Sequence, residues 1–87
     1  MELKESFESA QVRIKQLTEK PDNQDLLKLY SLFKQATEGD VQGERPGGFD
    51  FAAIAKFNAW ERLKGTSKEK AMEDYIATVD AMLEKYD

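Results

Sequence analysis

Tyr30 and Lys34 stand four residues apart in the stretch Leu29-Tyr30-Ser31-Leu32-Phe33-Lys34. On a helix that spacing puts their β-carbons about 5–6 Å apart on one face. Phe33 lies beside them, Lys56 precedes Phe57 in a later segment, and Tyr75 belongs to the last. A phenol donates a hydrogen bond to a phosphate oxygen while an ammonium supplies the charge. An aromatic face can stack on a nucleobase. Brought together by folding, these groups would suit a phosphorylated nucleotide. Pattern alone favours a plainer reading: an aromatic on an amphipathic helix usually faces the core, and a Lys one turn on marks its solvated edge.

Other chemistries find no residues to carry them. The 87 residues include no Cys and no His, which removes disulfides, Cys/His zinc sites, thiol nucleophiles and imidazole acid–base catalysis. No Gly-Lys-Ser or Gly-Lys-Thr follows a strand as a phosphate-binding loop requires. The stretch Asp40–Asp50 lacks the glycine at six and the Glu at twelve of a calcium loop. Glu73 and Asp74 read as solvated charge on a polar face. No metal and no cofactor is expected, and the inventory argues against an enzyme. Seventeen acidic against thirteen basic residues give a net charge of −4, which opposes binding of extended nucleic acid through a broad positive field. No segment offers the ~20 apolar residues that span a bilayer, and Met1–Glu5 has no apolar run of the signal-peptide kind. A soluble cytoplasmic protein without stable membrane insertion is expected.

Four helices must position these groups. Leu3, Phe7, Ala10, Ile14 and Leu17 form a stripe at helical spacing, and Pro21 stops it. Asp22 or Asn23 can cap a second helix, whose apolar residues Leu26, Leu27, Leu29, Tyr30, Leu32, Phe33 and Ala36 cover more than one stripe and so face neighbours on two sides. Gly39 ends it. The segment Gly39–Asp50, GDVQGERPGGFD, keeps no apolar period and is longer than most helix connections. Asp50 can cap a third helix carrying Phe51, Ile54, Phe57, Trp60 and Leu63 up to Gly65. Thr66 or Ser67 opens a fourth, with capping-box spacing from Thr66 to Glu69 and a stripe of Met72, Tyr75, Ile76, Val79, Met82, Leu83 and Tyr86. No segment shows a period of two, so one all-α domain over residues 1–87 is expected.

At these residues the chain resembles the acyl-CoA-binding protein family. One stretch that carries the likeness is Tyr30-Ser31-Leu32-Phe33-Lys34-Gln35-Ala36-Thr37-Glu38-Gly39-Asp40. Another starts at Glu44-Arg45-Pro46-Gly47 and continues through Asp50-Phe51, Ala55-Lys56-Phe57 and Ala59-Trp60. The run Leu63-Lys64-Gly65-Thr66-Ser67-Lys68-Glu69, then Ala71-Met72 and Tyr75-Ile76, completes it. From Phe7 to Lys85-Tyr86 the likeness covers essentially the whole chain.

The resemblance implies a skewed four-helix bundle with a long overhand loop between the second and third helices. It implies non-catalytic binding, buffering and transport of medium- to long-chain fatty acyl-CoA thioesters. Tyr30, Lys34 and Lys56 would grip the 3′-phosphate of the CoA head group, and Phe33 and Tyr75 would contribute to the adenine site. Lys15 matches a further contact, Ala10 would line the head-group pocket, and Ser31 and Leu32 fall within the same binding stretch. Leu26 and Leu27 would border the groove that shields the acyl chain. Many members carry Tyr in place of Phe33, Trp in place of Phe57, and a small apolar residue in place of Gln11. The expected partners are fatty acyl-CoA, acyl-CoA-using enzymes and a transiently touched membrane surface, with the chain a monomer. The competing expectation is a protein-interaction module of the same fold with weakened ligand binding.

Overall fold

The computed structural model describes residues 2–86. Its elements are α1 (Leu3–Ile14), α2 (Asn23–Glu38), α3 (Phe51–Glu61) and α4 (Lys68–Tyr86), with no strand among the described residues. The all-α expectation holds.

Three of the four helix starts have a side-chain cap, and only that of α1 lacks one among the described residues. Asp22 caps α2 by accepting from the Asp25 N–H at 2.9 Å, and Asp50 caps α3 by accepting from the Ala53 N–H at 3.1 Å. The capping box expected from Thr66 to Glu69 does not form. Ser67 Oγ accepts from the Lys70 N–H at 3.0 Å, so the cap lies one residue later and Glu69 falls in the second helical position instead of the third. At the other end of the chain, α1 stops at Ile14, and Leu17 reaches the core from the turn that follows.

The core is built from three helices. Phe7 and Ala10 of α1, Leu29, Leu32 and Ala36 of α2, and Ala71, Tyr75, Val79 and Met82 of α4 are buried together. Helix α4 packs on both α1 and α2, whereas α3 packs on α2 alone. Helix α2 therefore has neighbours on two sides, as its broad apolar surface requires. No residue of α3 is buried. Ile54, Phe57 and Trp60 keep partial exposure and Phe51 is 71% exposed. The third helix leans against one partner and leaves a cleft.

Residues 39–50 carry no helix or strand, yet the start and the middle of this loop are fixed. Gln35, with no exposed surface, donates through Nε2 to Asp40 Oδ1 at 2.9 Å and to the Thr66 carbonyl at 2.7 Å. The Gly65 N–H donates to the same Asp40 oxygen at 2.8 Å. These bonds hold the Asp40 carboxyl below its usual range, the Gly65 N–H most of all. Further along, Arg45 donates to Asn58 Oδ1 at 2.7 Å and to Glu61 Oε1 at 2.6 Å, and its guanidinium lies 5.6 Å from the Phe57 ring centre. The loop is thereby stapled to the α3–α4 turn and to α3.

Candidate functional site

The cleft between α2 and α3 is walled by Asn23, Leu26, Leu27 and Tyr30 on one side and by Ala52, Ala55 and Lys56 on the other. Its volume is about 300 Å³, at the lower edge of small-molecule sites. The positions follow from two helical registers. Leu26 and Tyr30 are one turn apart on α2, as are Ala52 and Lys56 on α3. Alanines at 52 and 55 keep the cleft open, because larger residues there would fill it. Lys56 is exposed, and its Nζ lies 5.3 Å from the centre of the half-buried Tyr30 ring. A cation and a phenol thus meet at the rim of an apolar trough. Leu26 is 36% exposed and Leu27 half-buried, so apolar surface remains for a ligand to cover. Past the Leu27–Ala55 pair a second hollow of about 520 Å³ reaches Ser31, Asn58 and Leu63.

Lys34 does not line this cleft. Its Nζ pairs with the Glu38 carboxylate one turn further along α2 and lies 5.2 Å from the centre of the Trp60 ring. The Glu38 hydrogen bond, acting against partial desolvation, raises the Lys34 pKa. Trp60 is itself fixed, since its Nε1–H donates to the Gly39 carbonyl at 2.8 Å. Tyr30 and Lys56 are together, and Lys34 is drawn away toward the end of α2.

The aromatic residues separate likewise. Tyr75 is only 5% exposed and packs edge-on against Phe7 with ring centres 5.0 Å apart. Burial pushes its phenol pKa up. Phe33 lies 6.0 Å from Phe7 and 6.5 Å from Tyr75. Its remaining open surface faces a different hollow, of about 480 Å³, which Lys4, Lys68 and Met72 also border. In this structure Phe33 and Tyr75 are a packing pair and do not share the Tyr30–Lys56 cleft.

Three further expected site residues lie outside the Tyr30–Lys56 cleft. Ala10, expected to line the head-group pocket, has no exposed surface and belongs to the core. Leu32, read as part of the binding stretch, is 3% exposed and packs in the same core. Ser31 is 5% exposed, and its Oγ donates to the Lys28 carbonyl at 3.0 Å, leaving it on the floor of the second hollow. Ala10 sits on the single packed face of α1, against α4, whereas Ser31 and Leu32 lie on α2. A helix that packs on both sides turns successive residues to different surroundings, so neighbours in sequence do not share a face. Lys15 is exposed just beyond α1 and makes no side-chain hydrogen bond or ion pair among the described residues. Glu38, Trp60 and Ala55 were not singled out from the sequence. The Lys34–Glu38 spacing of four was a usable signal, whereas the Trp60 contact crosses from one helix to another.

Fold and comparison agree on the class. The profile of the family described as Acyl CoA binding protein matches residues 4–79. An acyl-CoA-binding protein of Brassica napus is 49% identical over 84 residues, 97% of this chain and 91% of that protein. One of Dictyostelium discoideum is 46% identical over 81 residues, covering 93% and 96%. The crystal structure of Oryza sativa acyl-CoA-binding protein 2 superposes with a TM-score of 0.90 at 44% identity, covering 97% of this chain and 93% of that one. The chain belongs to the acyl-CoA-binding protein family. Among the described residues, no helix is long and apolar enough to cross a membrane, and no cluster of acidic residues is placed to hold a metal ion.

Proposed function

We propose that this protein binds, buffers and carries medium- to long-chain fatty acyl-CoA thioesters without chemically altering them. Its family is one of binding proteins. The observation that carries the reading is the Tyr30–Lys56 pair at the rim of the Leu26–Leu27–Ala55 trough. A cation beside a phenol suits the 3′-phosphate of a CoA head group, and the adjoining apolar walls suit a chain whose burial is worth ~0.8 kcal/mol per CH₂. Lys56 and Lys34 supply the positive charge, Tyr30 orients the phosphate, and Leu26 and Leu27 shield the first part of the chain. The open side of Phe33 offers a stacking face for the base, and Lys15 a further charge.

Titration calorimetry with palmitoyl-CoA tests this. Lys34→Ala and Lys56→Ala are each expected to weaken binding by about 1.5–3 kcal/mol, the scale of a hydrogen bond to a charged group, with the fold intact. Wild-type affinity in either variant overturns the head-group assignment.

A second reading is favoured by Phe49 and Phe51. These are 90% and 71% exposed, with ring centres 6.4 Å apart. Such a pair fits a protein-interaction module of the same fold. No heat with palmitoyl-CoA at micromolar concentration would favour this reading.

A further inference from the structure

Glu38 is electrostatically misplaced for its helix. It is the last residue of α2, where the unpaired carbonyls carry partial negative charge, and the last turn holds no basic residue. An acid there is disfavoured by the helix, and what offsets it is its ion pair with Lys34. That pair is not a bare surface contact. The Lys34 side chain is 25% exposed and lies over the Trp60 ring, which the Gly39 carbonyl holds in place. The ammonium therefore rests in a prepared seat made of a carboxylate and an aromatic face. That seat lies outside the cleft where Tyr30 and Lys56 meet.

We propose that Glu38 is an internal competitor for the phosphate of the ligand. Its carboxylate holds Lys34 in the empty protein, and an incoming phosphate must take Lys34 from it. This inference rests on the acyl-CoA reading, with Lys34 as a phosphate contact. The exchange replaces one anionic partner by another, so the gain from the Lys34–phosphate contact is smaller than for a free ammonium. A competing pair of this kind holds affinity below its ceiling and eases release, which suits a carrier that must surrender its cargo.

The test is a double-mutant cycle in calorimetry at fixed ionic strength, with palmitoyl-CoA and its 3′-dephospho form as probes. Glu38→Gln keeps the side chain's shape and removes its charge. It is expected to tighten palmitoyl-CoA binding about two- to fivefold, the range of a partly exposed ion pair. Affinity for the dephospho probe should be essentially unchanged, and in a Lys34→Ala background Glu38→Gln should leave palmitoyl-CoA affinity unchanged. Weaker or unchanged palmitoyl-CoA binding by Glu38→Gln overturns the proposal, weaker binding marking Glu38 as a group that positions Lys34 for the phosphate. An equal gain on both probes, or a gain that survives Lys34→Ala, overturns it too, because the effect would then be general charge. Failure of the wild-type protein to bind palmitoyl-CoA refutes the acyl-CoA reading itself, and the competitor role falls with it. Thermal unfolding of Glu38→Gln at or above the wild-type temperature keeps a folding defect from mimicking any of these results.

Discussion

Phe33 illustrates how one residue can be read in two ways from its type. Beside Tyr30 and Lys34 in sequence, it suggests a stacking platform. In the structure its ring packs with Phe7 and Tyr75, so its first role is to seal α1 and α4 against α2. Phe33→Ala should therefore destabilise the fold by about 2–3 kcal/mol, below a fully buried Phe because one side is open. Lys56→Ala, at an exposed position, should stay within about 0.5 kcal/mol of wild type. Urea unfolding measures both. Near-wild-type stability of Phe33→Ala would return Phe33 to the role of ligand platform alone. The same contrast separates Lys56, free to meet a ligand, from Tyr75, whose ring the core holds.

The helices and the long loop are set by a few polar groups at their ends. Moving the α4 cap from Thr66 to Ser67 changes which substitution matters. Ser67→Ala should cost about 1 kcal/mol and Thr66→Ala less than half of that, by thermal or urea unfolding. The loop starts at Gly39, whose φ of 83° and ψ of −152° fall in a region nearly closed to residues with a side chain. Gly39→Ala is expected to cost about 1–3 kcal/mol. It should also disturb the carbonyl that fixes Trp60, and with it the seat of Lys34. Faster proteolysis within residues 39–50 would report the same loosening. Unaltered stability and proteolysis would mean that the loop start tolerates another path. From sequence, the glycine and the loop's length were visible. The bonds from Gln35, Asp40 and Arg45 that fix its course were not, since their partners lie on other elements.

Across the whole molecule, the start of α2 and the end of α4 are clasped. Tyr86 Oη donates to Asp25 Oδ2 at 2.7 Å and accepts from the Asp22 N–H at 3.0 Å, while Lys85 pairs with Asp25 at 3.1 Å. The Tyr86 hydrogen bond, then that of Lys85, hold the Asp25 carboxyl below its ordinary value. Because the folded pKa is depressed, the clasp contributes in full above the unfolded carboxylate pKa of about 3.9 and is lost as pH falls through the lower folded value. Asp40 behaves in the same direction. Asp25→Asn should therefore lower the unfolding temperature at pH 6 and converge on wild type in strongly acidic buffer. A constant difference at every pH would show that the clasp acts through shape and not through the carboxylate's charge. The net charge of −4 does not oppose a small anionic ligand, for residues 66–87 sum to −3 while residues 23–65 sum to zero. The cleft lies in that neutral part, with Lys56 at its rim.

Much was settled by local order along the chain. Apolar spacing, cap residues and the Gly/Pro-rich stretch depend on neighbours within a turn or two, so four helices, most of their ends and the long loop could be read directly. The residue types also defined the chemistry available: ammonium and phenol beside apolar surface, with no thiol or imidazole. Tertiary structure decided which of those residues meet. It withdrew Ala10 and Leu32 into the core, turned Tyr75 and Phe33 toward Phe7, joined Tyr30 to Lys56 across two helices, and seated Lys34 on Glu38 and Trp60. Helical periodicity says which residues share a face but not which helix that face meets. Only the packing of α3 against α2 alone turns half of an apolar stripe into the wall of a cleft.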